Sequence, residues 1–291
     1  MIGQLLAGQL LAGQMPGREI MGHNHEDKFS KYVYLDFLYH HWEDISHMVE
    51  ENYSKYLKPN DSLIIGACSK HTVSEMRETY DADRFIVYQL EPLYEDHWHP
   101  VSNILSNMEG ADEVWDYDVD NIKLLKSHGI NAKFRPFLYT EKLNRVPKLR
   151  VDQLDIDLLF YGSLTKERLD IIFDIYCTCG MSYNIVVLWN VDGAKLDGFI
   201  SRAKVIVDLQ TNSSENIQKQ TRIYYALSNN KCIVSEKSRR NYYGDFIIES
   251  ERHNMAETLL DILNNRSWEQ KMELIDGKFK EFSQKFVGGM S

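Results

Sequence analysis

The chain has 291 residues, of which 43% are hydrophobic and 26% are charged, a composition typical of packed globular proteins with room for two domains. Its formal net charge of −10 argues against non-specific binding to nucleic acid, which depends on a positive field around the phosphates. No apolar run reaches the ~18–20 residues of a membrane span, and residues 1–27, with their repeated Gly-Gln-Leu-Leu-Ala, are predicted to be a tail rather than a signal peptide.

Strands and helices alternate strictly from residue 28 to residue 139, which we treat as the first domain. The predicted strands span 32–37, 62–67, 84–90, 113–116 and 132–137. The predicted helices between them span 40–57, 71–80, 101–109 and 119–128. Short strands that are apolar at every position are typical of a parallel sheet buried on both faces.

The alternation pauses at residues 140–152, a charged, Pro-flanked linker, and resumes in a second predicted domain at 153–268. Its strands are predicted at 157–162, 183–188, 204–209 and 231–235, and its helices at 166–180, 195–203 and 218–229. Two amphipathic helices follow from Met255, and the final segment, 269–291, is expected to cross back onto the first domain. The pattern predicts an α/β protein with two tandem Rossmann-like domains facing a cleft; a (β/α)₈ barrel is the alternative.

Several familiar site motifs are absent or unconvincing. The dinucleotide fingerprint G-x-G-x-x-G and the Walker sequence are missing. The acidic triplet Asp116, Asp118 and Asp120 imitates a D-x-D metal motif, but it stands where a helix begins, so helix capping is the preferred interpretation and no metal is predicted. The four cysteines lack zinc or disulfide spacing, so free thiols and a cytoplasmic location are expected, the host cytoplasm if the chain is viral.

A phosphate-binding edge is predicted in the second domain. Gly162 and Ser163 follow a buried strand, and Arg168 lies in the first turn of the next helix. Gln220 lies near the start of the later helix at 218–229, Thr221 and Arg222 lie in its first turn, and Glu236 lies just beyond the end of the strand that follows. Free amides at a helix start and Arg side chains suit a diphosphate, and a strand-end Glu suits a ribose.

These segments resemble a known family. Strand-Tyr-Gly-Ser before a basic helix, followed by Arg-Ile-x-x-Ala-Leu-x-Asn-x-Lys-x-Ile-Val-Ser-Glu, is similar to the nucleotide-sugar domain of GT-B glycosyltransferases, closest to a branch found in phages, large viruses and bacteria. Tyr88 to Pro92, Trp98, and Val114 to Tyr117 with Asn121 resemble the same branch, so the similarity covers roughly residues 84–240.

The resemblance implies transfer of a sugar from a nucleoside-diphosphate sugar, commonly a UDP-sugar, without a permanently bound cofactor or an obligatory metal. By analogy Glu215, or Arg222 with Thr221, would stabilise the leaving diphosphate. Retaining members carry two Glu residues at places held here by Ile217 and Tyr225, which leaves the stereochemistry open.

An inverting reaction needs a base on the acceptor side. Glu91, which ends a buried strand beside Pro92, is the first candidate, and Asp36 is the second. His40, Trp98 and His99 are the candidate acceptor-side residues, since the aromatic ring could stack on a sugar or base.

Three functions remain open on this basis. The first is an active glycosyltransferase whose acceptor is a glycan, a lipid-linked sugar, a protein or a hydroxymethylated base in phage DNA. For DNA, the basic strips at 142–150 and 237–240 would have to line the cleft. The others are a non-catalytic nucleotide-sugar-binding partner subunit and a GT-B-like sugar-nucleotide epimerase; oligomeric state is not indicated.

Overall fold

The computed structural model of the chain describes residues 32–34, 39–66, 72–94, 101–211 and 216–289. The first half is a five-stranded parallel sheet in the order β1-β2-β3-β4-β5. Its strands are β1 (Tyr32–Tyr34), β2 (Asp61–Ile65), β3 (Arg84–Gln89), β4 (Glu113–Asp116) and β5 (Ala132–Phe134). Its helices are α1 (Tyr39–Tyr53), α2 (Val73–Thr79), α3 (Val101–Asn107) and α4 (Val119–Ser127).

The second half is another five-stranded parallel sheet, in the order β10-β9-β8-β6-β7. Its strands are β6 (Ile156–Tyr161), β7 (Ile185–Leu188), β8 (Ala203–Asp208), β9 (Cys232–Glu236) and β10 (Ile248–Ser250). Three helices connect them: α5 (Lys166–Cys179), α6 (Gly193–Arg202) and α7 (Gln220–Ser228). The chain leaves β6 toward β7 and returns to the other side of β6 to form β8, so the strand order reverses between β6 and β8.

Both faces of the first sheet are buried, which explains its apolar strands. Leu63 and Ile65 of β2 share a core with Met48 of α1, whereas Ile64 points to the other face and packs in a cluster with Ile104 of α3. The alternation follows from the two-residue period of a strand. A strand with helices on both faces has no position at which a polar side chain reaches water.

Three helices end the chain, where the sequence predicted two: α8 (Met255–Asn264), α9 (Ser267–Ile275) and α10 (Lys278–Gly289). The breaks fall at Arg266 and Gly277, which have φ of 52° and 75°. The last helix reaches the first half of the chain, as expected. Ser283 accepts a hydrogen bond of 3.0 Å from the Tyr139 amide, and the Phe286 ring lies 6.1 Å from that of Phe134.

The α/β class and the two parallel sheets are confirmed, and the (β/α)₈ barrel is wrong. Predicted ends differ from observed ones mainly where a strand is short: β5 ends at Phe134, just before Arg135-Pro136, since proline cannot donate to the ladder. The sequence analysis missed β10, whose three residues offer little pattern. Among the described residues, no helix is long and apolar enough to cross a membrane.

Candidate functional site

The reversal of strand order between β6 and β8 marks the candidate site. Ligands of open α/β sheets bind outside the carboxyl ends of the strands at such a switch point. Gly162 follows β6 there, Asp208 ends β8, and α7 begins nearby at Gln220. The same edge therefore joins a glycine turn, a buried carboxylate and a helix N-terminus.

Arg222, in the first turn of α7, is held toward this edge. Its Nη1 donates to Asp208, and its guanidinium carbon lies 5.4 Å from the Phe160 ring and 5.3 Å from the Tyr161 ring. Asp208 is 1% exposed and also accepts a 2.9 Å hydrogen bond from Ser235 Oγ. Arg222 Nε is buried without a hydrogen-bond partner, as is the Tyr161 hydroxyl. The guanidinium is thus oriented by the protein, and its buried Nε has no hydrogen-bond partner.

Gly162 allows this approach. Its φ is +139°, and a Cβ built on it would lie 2.5 Å from Arg222 Nη2 and 3.9 Å from Arg168 Nη1. A side chain at this position would push the end of the Arg222 side chain away from the turn and would hold the backbone in a strained conformation. The turn after β6 therefore requires glycine for its contact with Arg222.

Arg168 has a different setting from the one predicted. It is 3% exposed, and its nitrogens donate to the carbonyl oxygens of Leu209 and Gln210 and to both oxygens of Ser163. These bonds tie the turn after β6 to the chain after β8. Arg168 and Ser163 thus fix the shape of the edge, and a phosphate contact from Arg168 remains a prediction.

Glu236 lies at the end of β9 and is also engaged by the protein. Its Oε2 accepts from the Gln210 amide at 3.0 Å, and its Oε1 accepts from Arg252 Nε at 2.7 Å. Burial raises the pKa of Glu236, partly offset by these two donors. Binding of a ribose by this carboxylate stays a prediction.

The two halves of the chain meet at the start of α7. Gln220 is buried, donates to the Tyr117 carbonyl at 2.9 Å and accepts from the Phe137 amide at 3.0 Å. This residue, predicted on the donor side, joins the second sheet to the loops after β4 and β5. Thr221, beside it, is exposed at the helix N-terminus.

Glu91 lies in a loop that a buried polar network shapes. Its amide donates to Gln89 Oε1, and its carbonyl accepts from Asn121 Nδ2 at 3.0 Å. Asn121 Nδ2 also lies 3.2 Å from both carboxylate oxygens of Asp116, and burial raises the pKa of that carboxyl well above its ordinary value. The network links the Glu91 loop to the start of α4. Tyr117, whose carbonyl accepts the hydrogen bond from Gln220 of α7, lies two residues before that start.

The interpretation of the acidic triplet as a helix start is confirmed. Asp118 is the N-cap of α4 and accepts from the amides of Asp120 and Asn121. Asp120 lies in the first turn and pairs with Arg240, which lowers the pKa of Asp120 to about 2. These carboxylates therefore have structural partners at the helix end.

Some predicted residues fall outside the described part of the chain: Asp36, Trp98, His99 and Glu215. The backbone of His40 lies in α1.

The sequence analysis missed Asp208, although a carboxylate at the end of the apolar run Val-Ile-Val is a signal that could have indicated it. It also missed the contact between Gln220 and Tyr117, which no local pattern indicates.

A cavity of about 690 Å³ lies at the opposite edge of the second sheet, where β6 and β8 begin. Asp157, Lys204 and Trp268 are among its lining residues. Lys204 pairs with Asp157 at 2.5 Å, so the charge beside the cavity is balanced by the protein itself. The carboxyl-end edge with Arg222 remains the stronger candidate.

No protein-family model matches the sequence, and no curated protein is significantly similar to it. Solved structures resemble the fold. Anabaena Alr3699/HepE in complex with UDP and glucose superposes with a TM-score of 0.58 at 9% identity, over 87% of this chain and 94% of that one. Sucrose-phosphate synthase from Thermosynechococcus elongatus gives a TM-score of 0.51 at 11% identity, over 84% of this chain and 75% of that one.

The fold, two parallel sheets flanked by helices, therefore matches the GT-B fold of these neighbours. At this level of identity the comparisons establish the architecture alone. They give no support to a phage or viral branch.

Proposed function

We propose that this protein is a glycosyltransferase that moves a sugar from a nucleoside-diphosphate sugar to an acceptor hydroxyl. The observation that carries the proposal is the guanidinium of Arg222, which Asp208 holds at the N-terminus of α7 beside the Gly162 turn. A guanidinium and a helix N-terminus together stabilise the charge that develops on a leaving diphosphate. A fold shared with a protein solved with UDP and glucose makes UDP the expected nucleotide.

The acceptor side would supply a base. Glu91 follows β3 at the carboxyl edge of the first sheet, and its loop is linked through Asn121 to the segment that contacts α7. A carboxylate at this edge could remove the proton of the acceptor hydroxyl while the diphosphate leaves. With Ile217 and Tyr225 at the places of the two Glu residues, we favour inversion, and we propose a metal-independent reaction.

The charge distribution favours a glycan over DNA as the acceptor. In the first basic strip Arg145 pairs with Asp44, and in the second Arg240 pairs with Asp120. Cations already neutralised by carboxylates contribute little to phosphate binding, so a DNA acceptor is disfavoured. Cys179 and Cys232 are buried free thiols, which is consistent with a cytoplasmic enzyme.

The test is a thermal-shift panel of UDP, GDP, ADP, CDP and dTDP. A ligand at 100 times its Kd stabilises the folded state by about 2.7 kcal/mol, enough to raise Tm by several degrees. We expect a shift with UDP that Arg222→Ala abolishes. Arg202→Ala is the matched control, since Arg202 pairs with Asp155 at the far edge of the sheet and should leave the shift intact.

Turnover then separates an enzyme from a binding module. UDP-glucose with a panel of glycan acceptors should release UDP, and Glu91→Gln should lower kcat by at least about 100-fold while leaving the UDP shift unchanged. A UDP shift without release of UDP from any sugar donor would indicate a binding subunit. Conversion of the donor sugar without consumption of acceptor would indicate an epimerase.

A further inference from the structure

An apolar patch lies on α5 and the strand that follows it. Seven large hydrophobic side chains are exposed among the described residues, and all but Val151 fall between residues 169 and 189. This α5–β7 patch consists of Leu169, Phe173, Tyr176, Met181, Val187 and Trp189. Scattered exposed apolar residues are normal, but a concentration of this kind on a water-facing surface marks an interaction site.

The helical part of the patch is a second stripe on α5. Ile171 and Ile175 point into the core, whereas Leu169, Phe173 and Tyr176 recur at intervals of four and three residues and stay outside. Successive residues of a helix are rotated by about 100°, so Glu167 lies nearly opposite Leu169 around the axis of α5. Glu167 pairs with Arg252, which lies just before α8, so α8 is on the Glu167 side of α5.

The stripe therefore lies on the flank of α5 that α8 leaves uncovered. Phe173 alone is 68% exposed.

The strand part of the patch is the edge of the second sheet. β7 is the last strand in the order β10-β9-β8-β6-β7, so its outer backbone groups have no neighbouring strand among the described elements. Its sequence, Ile-Val-Val-Leu, contains none of the charged or proline residues with which proteins usually protect an edge. An apolar edge strand beside an apolar helix stripe is suited to pairing with another strand.

We propose that the patch binds the same patch on a second copy of this chain, so that two β7 strands pair in antiparallel fashion about a two-fold axis. The pairing would set Val187 against Val187 at the axis, Val186 against Leu188 and Ile185 against Trp189, apolar against apolar throughout, with each opposed pair on one face of the sheet. The two α5 helices would then run antiparallel on one face, with Phe173 close to the axis. The two five-stranded sheets would become one sheet of ten strands.

Charge and area favour a second copy over other occupants. Lys166 pairs with Asp170 beside the stripe, so these two residues add no net charge where two copies would meet. A chain of net charge −10 has no attraction to an anionic membrane. The six side chains of the patch expose on the order of 500 Å² of accessible surface that a partner could bury. With the β7 backbone this approaches the ~800 Å² per partner of a stable interface.

The first experiment is sedimentation equilibrium of the full chain from about 1 to 100 μM. We expect a mass near twice the 34.1 kDa of the chain, and Phe173→Asp and Val187→Lys should each weaken association by at least about 100-fold. Val151→Lys is the matched control, because Val151 is exposed like Val187 but lies outside the patch. Circular dichroism and Tm report whether each variant is folded.

A cross-link tests the geometry. In a Cys177→Ser background, Phe173→Cys should form a disulfide-linked dimer on mild oxidation, whereas Asp261→Cys, at an exposed position of α8 outside the patch, should not. A wild-type chain that stays monomeric at 100 μM would overturn the proposal. So would a dimer that the patch variants leave intact, or a monomer that floats with vesicles of phosphatidylcholine and phosphatidylglycerol. These outcomes are independent of sugar transfer.

Discussion

Gly162 is the residue at which adding a single methyl group should most reduce both stability and UDP binding. Gly162→Ala places a methyl group against Arg222 at a φ of +139°, so it should destabilise the fold by about 1–3 kcal/mol and abolish the UDP shift. Urea unfolding and thermal shift measure the two effects. Gly198→Ala, in α6 with nothing near its Cβ, should keep the shift and leave stability equal or slightly higher; an equal loss in both variants would contradict the role of Gly162.

At the scale of single residues, the sequence predicted where the site side chains lie in their helices better than it predicted their hydrogen-bond partners. Arg222 was placed correctly in the first turn of its helix, because the apolar pattern of α7 fixes that turn. Asp208, which orients Arg222, lies 14 residues earlier in the chain. The sequence also did not predict that the guanidinium of Arg168 donates to backbone carbonyls. The acceptors near Arg168 are set by the pairing of β6 with β8, which brings together residues that are distant in sequence.

At the scale of elements, α10 is the segment whose contacts are most remote in sequence. Phe279 is 1% exposed and its ring lies 6.2 Å from that of Tyr139 and 5.9 Å from that of Tyr243. Phe279→Ala should cost about 3–5 kcal/mol, because the surrounding rings cannot close the cavity. Phe286→Ala, half-buried on the same helix, should cost clearly less; equal losses in urea unfolding would show that α10 does not pack as described.

Strands and helices were the features that the sequence predicted best. Runs such as Leu-Ile-Ile in β2 and Val-Ile-Val in β8 are apolar on both faces, a pattern that a doubly covered strand requires. The third C-terminal helix was missed because residues 269–291 were predicted as one helix, which the structure divides at Gly277, where φ is 75°. The other break, at Arg266, lies within three residues of the predicted boundary at 268.

At the scale of the whole molecule, Asp120 ties the two halves together. It lies in α4 and accepts from Arg240 Nε and Nη2 at 3.1 Å, across the junction. The pKa of Asp120 is about 2, below its ordinary value, so the ion pair stabilises the folded state above pH ~4 and the contribution disappears as the pH falls through 2.

Asp120→Asn should therefore be less stable than wild type at pH 7, and the gap should narrow steadily between pH 4 and pH 2. Urea unfolding across this range, at low salt, measures the difference. High salt should narrow the difference in stability as well, because Arg240 and Arg239, whose Nη1 lies 3.7 Å from Asp120 Oδ2, are both exposed to solvent. A gap that stays constant with pH would mean that the carboxylate does not contribute through its charge.

The sequence by itself determined the α/β alternation and the two parallel sheets, and it placed the start of α7 within two residues, because hydrophobic period is a local property of the chain. The tertiary structure decided which side chains face one another: Arg222 with Asp208, Gln220 with Tyr117, and Asp120 with Arg240. The last two contacts join residues at least 100 positions apart. Partners at that distance are selected by strand order and by the packing of one half against the other, which no local pattern encodes.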